Sequence, residues 1–410
     1  MPARQQALNG IRVLDFTQVI FGPSCTAQLA DHGAEVIKVE RPGVGDLARQ
    51  FGPFVDGESM PYASINRNKK SLALDLKAPA GLEVVYRLID GVDVVVSNFR
   101  QGVMESLGLG WEEVHARNPR VIYASGSGYG PDGPIGSTRK MGHDSMAQAM
   151  TGIMAVNADS NGVPRRVRLP VADFSAGSLL MEGVLLALIE RASSGVGQKV
   201  EVALIDALLW MQGWTVASVA NAPEQEDHLG NPLDGGVYMA ADGYIVVTGL
   251  FRPDPLRAIC EVLGIEDLSL VDRFSTVGEM MENAEELHDI IQVEIEKHPG
   301  DHWVEKFDAV DVLCMPVMTI DRTIAQPQVI HNDMVVEVAR GGSGESRGGG
   351  EAAHRKQRHV GVPVKLRSTP GSVRTAAPGI GEHSREVLAA AEYSEDKITE
   401  LATAGVIGVG

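Results

Sequence analysis

Short β-rich segments alternate with apolar helical segments from residue 11 to residue 126 of the 410-residue chain. Residues 11–16 (IRVLDF) and 34–40 (AEVIKVE) have the composition of strands, and the helical pattern between them opens at Gly22. The same succession continues with strands expected at 71–76, 92–98 and 120–126 and a helix at 78–90. Repeated βαβ units predict an α/β fold whose parallel sheet is covered by helices on both faces.

The later part of the chain has a different pattern. An amphipathic helix is expected at 174–193 and a strand at 199–205. Residues 237–249 (VYMAADGYIVVTG) alternate around Asp242 and Gly243, as a hairpin does, and helices predominate from there to about residue 310.

This shift in pattern predicts three segments. We expect the N-terminal part of a large domain at 1–225, a smaller α+β domain inserted at 232–325, and a C-terminal return that completes the large domain at 335–410. The glycine-rich run 341–351 contains no apolar residue, which predicts a mobile loop.

Charge and cysteine content exclude several classes of protein. The 54 acidic residues against 36 basic ones give a net charge of -18, which would repel nucleic acid. The three cysteines, Cys25, Cys260 and Cys314, have no spacing typical of a disulfide framework or a zinc site. Residues 1–10 do not resemble a signal peptide, and charged residues interrupt the later apolar runs short of the roughly 18 residues that a membrane span needs. We therefore expect a cytoplasmic protein without a metal, a nucleic-acid partner or a membrane segment.

A glycine motif that invites a dinucleotide-binding interpretation lacks the required context. GYGPDG (128–133) follows a predicted strand, but Pro131 and Pro134 stand where a phosphate-binding helix would begin. Cys25 lies near a helix start, yet a buried helical cysteine is commoner than an activated thiol there. Neither feature supports a nicotinamide, flavin or thiol enzyme.

Asp173 stands immediately before the predicted helix 174–193. The simplest interpretation is a helix N-cap. A carboxylate in this place would also stay ionised beside the positive end of the helix dipole, with backbone amides nearby that could hold a developing oxyanion. A cap and a nucleophile can therefore be the same residue.

Other polar residues follow the predicted strands. Because the carboxyl ends of parallel strands meet at one edge of a sheet, residues after successive strands converge there. Amide, cationic and aromatic side chains at such an edge suit a polyanionic nucleotide ligand. The residues concerned are Gln18, Val19, Arg41, Lys77, Asn98 and Phe99. His143 and Asp144 likewise open a predicted helix, although such a pair is most often incidental.

Taken together, these segments resemble the class III coenzyme A transferases of the CaiB/BaiF type. This family includes formyl-CoA:oxalate and carnitine CoA-transferases and also α-methylacyl-CoA racemase. The resemblance implies a large Rossmann-like CoA-binding domain, an inserted smaller domain, and a homodimer of two interlocked rings. The segments that carry it are 14–46, 66–77, 97–103, 171–177, 187–209, 316–329 and 377–388.

The resemblance also assigns roles to single residues. The family's nucleophilic aspartate corresponds to Asp173, and its contacts with the CoA nucleotide correspond to Val19, Arg41, Leu74, Lys77, Asn98 and Phe99. The chain departs from the family at Ser106 and Met141, where basic residues are expected. His143 ahead of Asp173 is similar to the racemase arrangement, but Arg252 stands where the racemase has a supporting glutamate. An arginine there suits a second substrate carboxylate better than proton abstraction.

Three functional hypotheses follow. The first is an acyl-CoA:carboxylate CoA-transferase that acts on acyl-CoA and small carboxylic acids through aspartyl anhydride and aspartyl-CoA thioester intermediates, with CoA as substrate and no permanently bound cofactor. The alternative is an α-methylacyl-CoA racemase that uses His143 and Asp173 as an acid-base pair. A non-catalytic acyl-CoA-binding protein is the third. The arginine at position 252 favours the transferase.

Overall fold

The computed structural model describes residues 6–138, 140–159, 161–222, 231–249, 251–339 and 356–410. The predicted loop 341–351 lies outside these residues. The described strands are β1 (Arg12–Asp15), β2 (Glu35–Glu40), β3 (Phe54–Val55), β4 (Glu58–Ser59), β5 (Lys69–Leu74), β6 (Val94–Ser97), β7 (Ile122–Ser127), β8 (Lys199–Ala203), β9 (Gly236–Ala240), β10 (Gly243–Thr248), β11 (Leu313–Pro316), β12 (Val335–Ala339), β13 (Lys356–Val360) and β14 (Ile407–Gly408).

Helices connect and flank these strands. They are α1 (Phe21–Asp31), α2 (Met60–Asn66), α3 (Pro79–Ile89), α4 (Val103–Ser106), α5 (Trp111–Arg117), α6 (Gly133–Gly136), α7 (Asp144–Met150), α8 (Ile153–Val156), α9 (Val171–Ser194), α10 (Leu204–Met211), α11 (Gly213–Asn221), α12 (Pro255–Leu263), α13 (Val277–Glu282), α14 (Ala284–Ile295), α15 (Gly300–Asp308), α16 (Ile320–Thr323), α17 (Pro327–His331), α18 (Ser384–Ala390) and α19 (Glu395–Thr403).

The chain divides into two compact units, one formed by residues 1–213 with 330–410 and the other by residues 214–329. The first unit contains a seven-stranded sheet in the order β14-β5-β2-β1-β6-β7-β8. All neighbouring strands in it are parallel except β14, which pairs antiparallel with β5 at the edge. The predicted α/β fold with a parallel sheet is thereby confirmed. The domain boundaries expected from the sequence stay a prediction.

Alternate side chains of the central strands enter two separate cores. On β1, Leu14 joins a cluster with α3, α5, α18 and α19, while Val13 joins a cluster with α1, α7, α9 and α10. Val95 on β6 likewise faces the first cluster, and Val94 faces the second. Both faces of the sheet are buried under helices, as parallel sheets require.

The order of the strands places a switch point between β1 and β6. From β1 the chain moves through β2 to β5 on one side, whereas β6 and β7 lie on the other. The connections that leave β1 and β6 therefore diverge and leave a crevice beyond the carboxyl ends of the strands, where open α/β sheets bind ligands.

Helix α9 is the longest described helix, with 24 residues, and buries one face against the sheet and α1. Its buried positions recur every three or four residues, as in Ala176, Leu180, Val184 and Ala187. By length and a mean hydropathy of 1.6 it is the one described helix that could span a bilayer, a test that a core helix also passes.

The second unit is built on a small antiparallel sheet. Its three strands have the order β11-β10-β9, and the turn of the β9–β10 hairpin lies at Asp242, as predicted. Helices α12, α14 and α15 cover this sheet with a core of its own, which contains Trp303, Phe307 and Ile291.

Candidate active site

A cavity of about 560 Å³ opens at the carboxyl ends of β1, β2, β5 and β6. The residues that follow these four strands line it, together with α4 and the segment before β14. The lining residues are Gln18, Val39, Glu40, Arg41, Pro42, Asp75, Leu76, Lys77, Phe99, Val103, Ser106, Leu107 and Gly405.

The structure brings three of the predicted CoA-contact residues together in this cavity. Arg41 and Lys77 are exposed cations and Phe99 is a half-buried ring. Leu74, in contrast, is buried in the hydrophobic core beneath the cavity. Ser106, where the sequence resemblance implies a basic residue, also lines the cavity.

Asn98 and Val19 shape the crevice between β1 and β6. The Asn98 side chain bridges that crevice, because its Oδ1 accepts the Gln18 amide and its Nδ2 donates to the Gln18 carbonyl, both over 2.8 Å. Val19 has a φ of 67°, a left-handed conformation that is rare for a β-branched residue. Its amide donates to Asp46 Oδ1 over 3.0 Å, which holds this strained residue in place.

Buried ion pairs that the sequence analysis missed support the same loop. Lys38 is fully buried, pairs with Asp46 over 2.8 Å and donates to the Thr17 carbonyl over 2.7 Å. Lys69 is likewise buried and pairs with Asp15, whose Oδ1 accepts the Thr17 amide over 2.8 Å. Charged residues inside strands, such as Lys38 in EVIKVE, were the signal in the sequence.

Asp173 lies in the first turn of α9, which begins at Val171 after Pro170. The expectation that Asp173 caps this helix is therefore wrong, since Pro170 occupies the N-cap position and Asp173 lies inside the helix. One turn further along, Gly177 packs so closely on Ser24 of α1 that a Cβ would overlap the serine side chain. The start of α9 thus lies against the start of α1, directly after the Gln18–Val19 loop.

The electrostatic environment of Asp173 also differs from expectation. Burial, together with the negative charge of Asp144, raises the pKa of Asp173 to about 7. The carboxyl group is therefore not simply ionised at neutral pH, as a helix N-terminus alone would make it, but poised near neutrality. Such a pKa is common among catalytic groups.

The amides at the start of α9 already have partners. Those of Ala172 and Asp173 donate to Asp144 Oδ1, over 2.8 and 3.4 Å. The amide of Val171 donates to the Leu169 carbonyl, and that of Phe174 to the Pro170 carbonyl. The expectation that these amides hold a developing oxyanion is therefore wrong for this conformation.

His143 is the N-cap of α7 and is exposed. Its Nδ1 accepts the amide of Ser145 over 3.2 Å. Among the described residues, no hydrogen bond joins His143 to Asp173. Its neighbour Asp144 is buried and is the residue that reaches α9.

The remaining reactive groups are engaged or buried. Cys25 is fully buried, and burial raises the pKa of its thiol, as expected for a core cysteine. In the second unit, Arg252 donates to the Val310 carbonyl and to Asp254. Within the described parts of the chain, no group of His, Cys, Asp and Glu side chains is placed to hold a metal ion.

Comparison with known proteins shows the family to which the chain belongs. Residues 8–384 match the family model of CoA-transferase family III. The chain belongs to this family. As a member of CoA-transferase family III, the chain has the mainly parallel central sheet that the sequence resemblance implied.

Relatives of this family III chain are similar over nearly their whole length. It is 31% identical to human (Homo sapiens) succinyl-CoA:glutarate CoA-transferase over 98% of this chain and 90% of that protein. It is 30% identical to the formyl-CoA:oxalate CoA-transferase of Afipia carboxidovorans over 98% of both chains. A crystal structure of a CAIB/BAIF family protein from Brucella suis has a TM-score of 0.80 and 26% identity over 95% of this chain and all of that one.

Proposed function

We propose that this CoA-transferase moves CoA between carboxylic acids with Asp173 as the covalent nucleophile. The observation that supports this proposal is a half-buried carboxyl group with a pKa of about 7 at the start of α9, beside the ligand-binding edge of the sheet. A carboxylate of this basicity is a better nucleophile than an ordinary aspartate and is still half ionised at neutral pH.

The reaction consists of acyl exchanges. Asp173 attacks the donor thioester carbonyl and the C–S bond breaks. CoA leaves as the thiolate, and the donor acyl group stays on Asp173 as a mixed anhydride. The thiolate then attacks the aspartyl carbonyl, which frees the donor carboxylate and leaves an aspartyl-CoA thioester. An acceptor carboxylate then attacks the aspartyl-CoA thioester and releases the CoA thiolate from a second anhydride. The thiolate attacks the acceptor acyl carbonyl, which forms the new acyl-CoA and frees Asp173. Each step exchanges a carboxylate with a thiolate, so the chemistry requires no metal or redox group.

The CoA nucleotide would occupy the strand-end cavity. Arg41 and Lys77 supply positive charge for phosphates, and Phe99 supplies an aromatic face for the adenine ring. Asn98, through its side-chain amide, and Val19, through its backbone amide, contribute by fixing the loop after β1. Leu74 supports the cavity floor from the core.

At least one of the two acids exchanged is, in this proposal, a short dicarboxylic acid. The names of the relatives include glutarate and oxalate as acceptors and a succinyl or formyl group on the donor. A homodimer of interlocked chains, the inserted domain at 232–325 and a cytoplasmic location, all predicted from the sequence, belong to the same proposal.

The racemase alternative lacks a specific supporting observation. A racemase works in both directions, so each of its two groups must accept the α-proton in one direction and donate it in the other. The Nδ1 lone pair of His143 is occupied by the Ser145 amide, so the neutral ring carries its hydrogen on Nε2 and can only donate there. The transferase is the function that this geometry supports best.

An Asp173→Asn variant tests the proposal. With succinyl-CoA, glutaryl-CoA or oxalyl-CoA and a panel of acids, the variant should lose CoA transfer, while CoA binding stays within a few fold. Hydroxylamine added to the wild-type enzyme with acyl-CoA should label a peptide that contains Asp173. Normal turnover by the variant would refute the role of this residue.

The stability of the same variant serves as the control. A carboxyl group whose pKa is raised in the folded protein costs stability as the pH rises above its unfolded value of about 4. Asparagine removes this cost, so at pH 8 the melting temperature should be equal to or above that of the wild type. Lost activity in a variant that melts no lower separates catalysis from folding.

A further inference from the structure

We propose that Asp144 is a positioning residue that holds Asp173 in place and makes its carboxylate more reactive by closing the start of α9 with a buried negative charge. This inference rests on the proposed function, because it concerns how the nucleophile is activated.

The first part of the argument is the contact between the two aspartates. Asp144 Oδ1 accepts the Ala172 amide over 2.8 Å and the Asp173 amide over 3.4 Å. Amides at a helix start normally stabilise an ionised carboxylate nearby and so lower its pKa. Because these amides are bonded to Asp144 Oδ1, they make no hydrogen bond to the Asp173 carboxylate.

The second part is the way in which Asp144 is held. Its Oδ2 accepts Gln148 Nε2 over 2.7 Å, and Gln148 is fully buried. Gln148 also accepts the Val167 amide over 2.9 Å and donates to the Val167 and Leu169 carbonyls. Helix α7 thus fixes both the Asp144 carboxylate and the segment that leads into α9.

The third part is the set of charges around Asp173. Elements packed on α9 carry several ionisable groups, but within the described residues only the Asp144 charge acts on the pKa of Asp173, which it raises in addition to burial. The groups on these elements are Cys25 and Asp31 on α1, His143 and Asp144 at α7, Tyr123 on β7, Lys199 and Glu201 on β8, and Asp206 on α10.

This arrangement has a chemical consequence. When Asp173 attacks the thioester, its Oδ forms a bond to the acyl carbon and the C–S bond breaks, so the anion becomes a neutral acyl group. Repulsion from Asp144 is thereby relieved, both in the anhydride and in the aspartyl-CoA thioester. Each unit by which Asp144 raises the pKa of Asp173 should favour the covalent enzyme about tenfold.

A merely structural cap would act differently. A loose helix start would slow the reaction by misplacing the nucleophile, but it would not change the free-energy difference between the ionised carboxylate and the thioester. The equilibrium constant for covalent enzyme formation therefore distinguishes the two roles, whereas the rate does not.

The experiment measures this equilibrium constant at pH 8 with succinyl-CoA and succinate at fixed ratios, by intact mass of the CoA adduct. We compare the wild type with Asp144→Asn and with Asp144→Ser, a second neutral variant that keeps a hydroxyl acceptor. Both neutral variants should lower the constant by about tenfold per unit of lost pKa shift. The pH at which kcat/KM falls off on the acid side should move from near 7 to lower pH in both variants, because the Asp144 charge no longer raises the pKa of Asp173.

Two control variants keep the charge of Asp144. Gln148→Met removes the partner of Asp144 without changing its charge, and should slow turnover while leaving the equilibrium constant unchanged. Glu190→Gln removes a negative charge near the C-terminal end of α9 and should alter neither turnover nor the equilibrium constant.

The outcomes are distinct. A CoA adduct on the wild type together with an unchanged constant in a folded neutral variant would overturn the role of Asp144 alone. A constant lowered as much in Gln148→Met, which keeps the charge of Asp144, as in Asp144→Asn would show that this charge is not what favours the covalent enzyme. No CoA adduct on the wild type with succinyl-CoA, glutaryl-CoA or oxalyl-CoA would instead refute the proposed function.

Discussion

The imidazole of His143 and the carboxylate of Asp144 are adjacent in sequence but have different environments. His143 is exposed and caps α7 through Nδ1, whereas Asp144 is buried and caps α9. Because the free Nε2 of the neutral ring is a donor, His143 suits an orienting hydrogen bond to a substrate carboxylate or to the CoA arm better than proton abstraction. The residue that bears on the nucleophile is Asp144.

His143→Asn provides a test at this scale, because asparagine keeps the N-cap of α7 while it removes the imidazole. CoA transfer should fall by a modest factor, roughly threefold to tenfold, as expected for loss of one orienting hydrogen bond. The enzyme should incorporate no deuterium into a 2-methylacyl-CoA in deuterated water. His143→Ala also loses the cap, and its free energy of unfolding should therefore be lower by about 1 kcal/mol. Rapid deuterium uptake that vanishes in both His143→Asn and Asp173→Asn would instead establish a racemase.

At the level of elements, the start of α9 shows where sequence reasoning fails. The pattern predicted a helix from 174 with Asp173 as its cap, but α9 begins at Val171. The capping carboxylate comes from Asp144, 28 residues before Ala172. A local pattern cannot reveal a cap that is contributed by another helix, and so the altered pKa of Asp173 could not be foreseen.

The central strands, in contrast, were predictable. β1, β2, β6 and β7 were each expected within about two residues of their bounds, because a strand buried on both faces is a nearly continuous apolar run between turn residues. β14 was not expected, because Ile407–Gly408 is too short to have a period of its own. Its pairing with β5 is set by tertiary structure, as are the pairs of Lys38 with Asp46 and of Lys69 with Asp15.

Gly177 tests the contact between α1 and α9. Gly177→Ala places a Cβ where the Ser24 side chain lies, so α9 must shift. We expect a loss of roughly 1–3 kcal/mol of unfolding free energy and a fall in kcat, since Asp173 lies one turn away. Gly278→Ala is the matched control, because its Cβ would meet open space within α13 and should stabilise that helix by roughly 0.5–1 kcal/mol. Equal melting temperatures and equal turnover in the two variants would contradict the close packing.

At the scale of the whole molecule, one chain leaves a large apolar surface exposed. On α9, the side of the helix away from the sheet exposes Leu186 by 59% and Ile189 by 69%, and α10 exposes Trp210 by 74%. Large apolar side chains exposed on two packed helices are typical of a surface that another chain covers. This surface supports the proposed homodimer, in which a second copy of the chain would cover it.

The form of that dimer can be tested by dilution and by unfolding. Two interlocked chains cannot separate while each stays folded, so the dimer mass should persist on dilution into the nanomolar range, in contrast to a dimer held by surface contact alone. In urea, loss of the dimer in sedimentation should coincide with loss of helical circular dichroism at every protein concentration.

Ile189→Glu should lower the yield and the urea midpoint of the folded dimer without producing a folded monomer. The control is Ile320→Glu, at a site of 78% exposure on α16, which should change neither the yield nor the midpoint. A folded species with the mass of one chain, in the wild type or in the Ile189 variant, would contradict interlocking, because it would show that a single chain can complete its fold without being threaded through a second.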